Sequence, residues 1–219
     1  MPIAGKGMLL TSMDIDEAHE AEFNRWYDRE HLEERVAIEG FIEARRYVAE
    51  QGSPKYLCLY STRTIDVLGS PAYKTRLANP TEWSKTTMAR FENMIRAVAR
   101  ITISRGKGRG AVLGIIRLRP ANADQLRASL RDNFEPSSLD GVISMHLIES
   151  DAALSGPTTE IPSAAGAGAG DWFVLIDATD TNAAREATAG LTGNSRFKSV
   201  VISSGVYRLM WDISKDEIF

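Results

Sequence analysis

Between Phe23 and Tyr47 the 219-residue chain gathers its best candidates for chemistry: Glu30, His31 and Arg45, with Trp26 and Tyr27 one helical turn ahead of the first two. Histidine moves protons near neutral pH, and an arginine can bind a carboxylate or an enolate. Residues four apart on a helix are neighbours, so the spacing predicts Trp26 against Glu30 and Tyr27 against His31. Glu30 leaves such a helix about 100° away from His31, which suits an orienting partner better than a second base. Gly40 breaks the helical pattern and Phe41 opens a strand. On that strand Phe41, Glu43, Arg45 and Tyr47 share one face, and Ile42, Ala44, Arg46 and Val48 share the other. The second set is the more apolar and is expected to meet the helices, which sends Arg45 and Tyr47 to the far side. A purely structural reading is also open: His31 as a cation at a helix C-terminus, Arg45 in a salt bridge, Trp26 and Tyr27 as core.

Composition narrows the classes. The hydrophobic fraction of 43% is ordinary for a chain with a real core. Net charge is -3, with acidic and basic residues intermixed, unlike a dedicated nucleic-acid binder. The lone cysteine, Cys58, lies in an apolar run and reads as a buried strand thiol. It allows no internal disulfide, which fits a reducing compartment. No stretch approaches the roughly 20 apolar residues of a membrane span, and a cytoplasmic protein is expected. Three histidines and one cysteine offer no spacing for a metal site. His146, alone in a strand, reads as a satisfied wall residue, and His19, among acids, as a surface one.

Hydrophobic periodicity then orders the elements. Gly7–Asp14 is a strand, and Asp14 or Asp16 caps a helix that ends between His31 and Val36. Strands follow at 41–49 and 56–61, a short irregular or helical piece at 65–73, a helix at 82–94 and a strand at 97–104. Residues 106–110, Gly-Lys-Gly-Arg-Gly, lack phosphate-loop spacing and read as a linker between units at 1–105 and 111–219. The second unit repeats the order: strand 111–118, helix 120–133, strands 142–148 and 172–178, helix 181–191, strand 200–211. Residues 155–170, rich in Ala, Gly and Pro, read as a flexible loop that could serve as a lid. Each half is thus β-α-β-β-α-β, the ferredoxin-like arrangement, and the fold class is α+β. The helix at 120–133 contains no histidine or tryptophan, so one site per chain is expected, in the first half.

Four blocks in the first hundred residues add to this: Trp26-Tyr27-x-x-Glu30-His31, Gly40-Phe41-x-x-Ala44-Arg45-Arg46-Tyr47, Tyr56-Leu57-x-Leu59-Tyr60 and Leu68-x-Ser70-Pro71-x-Tyr73. Together they resemble the EthD-like branch of the dimeric α+β barrel superfamily. The resemblance implies that two ferredoxin-like units join their sheets into one α+β barrel, here as a tandem repeat in one chain, with Arg45 and Tyr47 facing its interior. It implies an enzyme without cofactor, a lyase or isomerase acting on a small aromatic, lactone or polyketide-like molecule by His-mediated proton transfer. The reaction would be an isomerisation, cyclisation, dehydration or decarboxylation. His31, Arg45 and Tyr47 would be catalytic; Trp26, Tyr27 and Glu30 would contact substrate. The alternatives are a haem-dependent or cofactor-free oxygenase of the same fold, or a non-catalytic binding or accessory protein. The expected partner is a small-molecule substrate, with neither nucleic acid nor membrane, and a homodimer is compatible with this reading.

Overall fold

In the computed structural model, residues 3–156 and 166–218 are described. Eight strands form a closed barrel: β1 (Gly7–Asp14), β3 (Tyr56–Thr62), β2 (Phe41–Gln51), β8 (Val201–Ser214), β5 (Val112–Leu118), β7 (Trp172–Ala178), β6 (Val142–Ser150) and β4 (Glu92–Gly106), which pairs with β1 again. Every adjacent pair is antiparallel. The orders β4-β1-β3-β2 and β6-β7-β5-β8 are those of two ferredoxin-like units. Two seams join them: β2 to β8, from Glu43 opposite Ser214 to Gln51 opposite Val206, and β4 to β6, from Ala99 opposite Ser150 to Gly106 opposite Ser144.

Strand alternation divides the core. Met8, Leu10, Leu57, Leu59, Leu113, Leu175 and Phe173 fill the barrel interior. The opposite faces of the same strands carry Leu9, Met13, Cys58, Tyr60 and Val98 toward the first unit's helices. Ile116, Leu118, Met145, Leu147 and Val174 do the same in the second unit.

The first unit's helices are α1 (Glu17–Trp26), α2 (Leu32–Ala37), α3 (Pro71–Ala78) and α4 (Glu82–Met88); the second carries α5 (Ala123–Asn133) and α6 (Thr181–Gly193). Asp16 caps α1 by accepting from the Ala18 N–H at 2.8 Å. Between α1 and α2, Tyr27–His31 forms a π-helical turn, where the sequence predicts one unbroken helix.

A second difference lies at 82–94. The predicted helix stops at Met88, and β4 starts at Glu92 rather than at 97. Met88, Phe91 and Met94 have helical spacing, but Asn93 adopts φ 50. That conformation ends a right-handed helix and is one asparagine tolerates. Gly106 closes the ladder of β4, so the glycine-rich segment begins inside the sheet. Of the loop expected at 155–170, residues 157–165 lie outside those described. Of its near end, Ser155 is buried, with its hydroxyl accepting from the Val98 N–H at 2.9 Å. No helix among the described residues is long and apolar enough to cross a membrane.

Candidate functional site

The π turn decides where His31 points. A π turn places residues five apart in line rather than four, and the Leu32 N–H donates to the Tyr27 carbonyl. His31 consequently lies across Trp26, with ring centroids 4.0 Å apart, as well as edge-on to Tyr27 at 5.2 Å. Single π turns inside α-helices recur at functional sites; this one turns an imidazole onto the sheet.

Glu30 has a different task. Its Oε1 accepts from Trp26 Nε1 at 3.1 Å, Thr81 Oγ1 at 2.7 Å and Ser84 Oγ at 3.0 Å. Thr81 also caps α4 through the Ser84 N–H at 3.0 Å. Glu30 therefore ties the π turn to the start of α4 and orients Trp26, which in turn supports His31. Tyr27 lies under Arg46, whose guanidinium carbon is 4.3 Å from the ring centroid. Arg46 Nη1 also pairs with Asp28 Oδ1 at 3.1 Å.

Tyr27 and His31 thus line the helix side of a small space, with Trp26 stacked behind His31; the sheet supplies the other side. A cavity of about 30 Å³ lies between them. Its polar lining is Thr11, Tyr27, His31, Arg35, Tyr60, Tyr73 and Arg96; Leu9, Met13, Leu77, Met88, Phe91 and Met94 complete it. Thr11 Oγ1 and His31 Nδ1 are buried and have no hydrogen-bond partner among the described residues. Unpaired buried polar atoms are costly, and both of these belong to residues that line the cavity.

Burial pushes the His31 pKa well below its ordinary value, and Arg35, Arg46 and Arg76 push it the same way. The imidazole is therefore neutral at pH 7, with a lone pair to accept a proton. Burial raises the pKa of Tyr27 and Tyr60 well above the ordinary phenol value, so both remain hydroxyls.

Arg45 and Tyr47 are elsewhere. Period two sends them into the barrel, across the sheet from His31, so the structure does not bring the three together. Arg45 Nη1 lies 3.5 Å from Asp177 Oδ1 and its Nε 3.8 Å from Glu43 Oε1. Desolvation works against the Arg45 charge, but Tyr47, Asp177 and Glu43 outweigh it and raise its pKa. Glu43 also pairs with Arg109. Burial raises the Tyr47 pKa. His146 lies in the same interior, 2.8 Å from Ser104 Oγ through Nδ1 and 3.0 Å from Ser144 Oγ through Nε2. It is the satisfied wall histidine that its lone position suggested, with burial and then Arg45 pushing its pKa down to about 3.

Thr11, Arg35, Tyr60 and Arg96 were not among the expected site residues. Arg35 was within reach, four residues past His31. Thr11 sits between Leu9 and Met13 at strand spacing, on their face. Arg96 was hidden by the strand start misplaced at 97.

The haem-dependent alternative can be set against this cavity. Ligand sites generally span about 300–1,000 Å³, and a haem ring cannot share about 30 Å³ with a histidine already stacked on Trp26. The residues present do not fit that group. Among the described residues no cluster of three or more His, Cys, Asp or Glu could hold a metal ion.

The sequence matches no protein-family model, and no curated protein matches it. Solved structures do. An anthrone oxidase-like protein superposes with a TM-score of 0.65 at 12% identity, over 100% of this chain and 98% of that one. A monooxygenase candidate from Fusobacterium nucleatum gives 0.58 at 9%, over 97% and 95%. A chlorite dismutase from Candidatus Nitrospira defluvii, in complex with cyanide, gives 0.52 at 10%, over 98% and 93%. At these identities the likeness is one of fold: the chain has the α+β barrel of ferredoxin-like units, with eight antiparallel strands closed on themselves.

Proposed function

We propose that this chain is a small-molecule enzyme in which His31 removes a proton from an enolisable aromatic or polyketide-like substrate. The observation that carries the reading is His31 itself: neutral, buried, with Nδ1 unpaired among the described residues and facing a mostly apolar cavity. A general base needs its lone pair available and its ring held still; Trp26, fixed by Glu30, supplies the hold. The departing proton goes to His31 Nδ1. The negative charge left on the substrate oxygen meets the Thr11 hydroxyl and the cationic side of the cavity, in the manner of an oxyanion hole. Returning the proton from His31 to another position gives isomerisation, and expelling a hydroxyl that takes that proton and leaves as water gives dehydration; decarboxylation reaches the same enolate by loss of carbon dioxide, and a protonated His31 then delivers the proton to carbon.

Benzene occupies an apolar cavity of about 150 Å³, so a ring-sized substrate requires Leu77, Met88 and Phe91 to move aside. Flexible Met88 on the short helix α4 suits that task.

A second outcome of the same first step is oxidation, in which the deprotonated substrate gives electrons to dioxygen. The anthrone oxidase-like neighbour favours including it. Arg45 and Tyr47 have no part in either route, since they lie inside the barrel.

The test follows deuterium exchange at the acidic carbon of a panel of anthrones and related cyclic aromatic ketones in D₂O without oxygen, with and without protein. Exchange accelerated by the protein and lost in His31→Ala is the expected result. Exchange that is unaccelerated, or unchanged in His31→Ala, overturns the proposal. Admitting oxygen and measuring its uptake then separates oxidation from isomerisation.

A further inference from the structure

The ionised side chains that line the His31 cavity among the described residues are cationic. They are Arg35 and Arg96, and no described Asp or Glu lines the cavity. Arg96 is buried on β4, and its Nη1 donates to the carbonyl oxygens of Leu154 at 2.8 Å and Gly156 at 3.2 Å. Those acceptors are neutral, so the bonds hold the guanidinium in place without cancelling its charge. Glu30, the nearest carboxylate along the helix, is taken up by Trp26, Thr81 and Ser84 and is not part of the lining. Arg46 and Arg76 act on His31 in the same sense, although each also pairs with a carboxylate, Asp28 and Glu34 respectively.

A cavity lined by buried arginines, with a Thr11 hydroxyl unpaired among the described residues, favours a ligand bringing its own negative charge. We infer that the substrate of this site is an anion, an aromatic ring bearing a carboxylate or phenolate, with its charged group held at Arg96 and its acidic position toward His31. The inference rests on the proton-transfer reading for the orientation of the ligand, though not for its charge. Arginine suits a carboxylate because its planar fork matches two oxygens. The same field repels a cationic ring of equal shape.

Three nearly isosteric probes separate the possibilities: benzoate, benzamide and benzamidinium, titrated against the full chain by isothermal calorimetry. Benzoate should bind at least about tenfold more tightly than benzamide, the scale of one charge-assisted bond, and benzamidinium should not bind. Added salt should weaken benzoate alone. Arg96→Gln should erase the preference; Arg96→Lys, which keeps the charge, should retain most of it, and melting curves of both check that the anchor to Leu154 and Gly156 is not the cause. Equal affinity for benzoate and benzamide, binding of benzamidinium, or no binding of benzoate overturns the inference. Failure of the proton-transfer reading is seen separately: His31→Ala would keep the deuterium exchange while the benzoate preference stood.

Discussion

Each ferredoxin-like unit lays helices on one face of its half of the barrel, and the two layers differ in what fills them. In the second, α5 and α6 press Leu126, Leu130 and Ala187 against Ile116, Leu118, Met145 and Trp172, with Arg127 over the Trp172 ring and paired with Glu149 at the edge. In the first, the matching space holds a histidine, three tyrosines, two arginines and a cavity. One architecture thus supports both a filled layer and a polar one. The difference teaches that the fold requires only an apolar seal at this position, and that polar groups are tolerated in the first unit where a cavity accommodates them.

The sharpest way to break this comparison is to remove the base. His31→Ala should lower turnover by about 10²–10⁴-fold, the usual contribution of a positioned base, with melting curves run alongside to exclude lost packing. His146→Ala, inside the barrel and outside the cavity, should change turnover by less than about tenfold; an equal loss in both variants would dissolve the distinction between the two regions.

Packing gives the next effect. Leu130→Ala, in the filled layer, should destabilise by about 2–5 kcal/mol in urea titrations. Met88→Ala should cost less, below about 2 kcal/mol, because its neighbours already border a void and fewer contacts are lost. The reverse order would mean that the first layer is the tighter one.

Acid should act through both buried histidines. A group whose folded pKa lies below its unfolded value of about 6.5 binds fewer protons when folded. Stability should therefore be level above about pH 6.5 with respect to these groups and decline below it. For His146 the decline ends near its folded pKa of about 3. Each histidine contributes at most about 1.4 kcal/mol per pH unit. His146→Gln and His31→Gln should each flatten the curve; a profile unchanged by both would remove this explanation. The smallest effect belongs to Ser84→Ala, which takes one of three donors from Glu30 and should cost about 1 kcal/mol.

Much of the barrel was legible because strands announce themselves by alternation and turns by glycine and proline. The β-α-β-β-α-β order in each half, and the two faces of β2, followed from spacing alone. The π turn did not. Tyr27–His31 has the composition of any helix, and the extra residue per turn is imposed by packing of Trp26 and Glu30 against α4. That turn is why Trp26, rather than Tyr27 alone, meets His31. The start of β4 was hidden by Met88, Phe91 and Met94, whose spacing fits a helix face until Asn93 breaks it. The direction of Arg45 and Tyr47 into the barrel was readable, but their separation from His31 followed only once the cavity was seen on the other side of the sheet. Strand spacing tells which residues share a face and says nothing of which face holds a space.

The seams β2–β8 and β4–β6 join parts of one chain. Closing the barrel is therefore an intramolecular event, and its completeness does not vary with protein concentration, as it must where two subunits supply the halves. Dilution cannot open it. A substitution in this chain also enters the barrel once, not twice by symmetry, so either half can drift without forcing the same change on the other. A chain so built can hold a polar cavity beneath the helices of one half while the other half keeps an apolar layer.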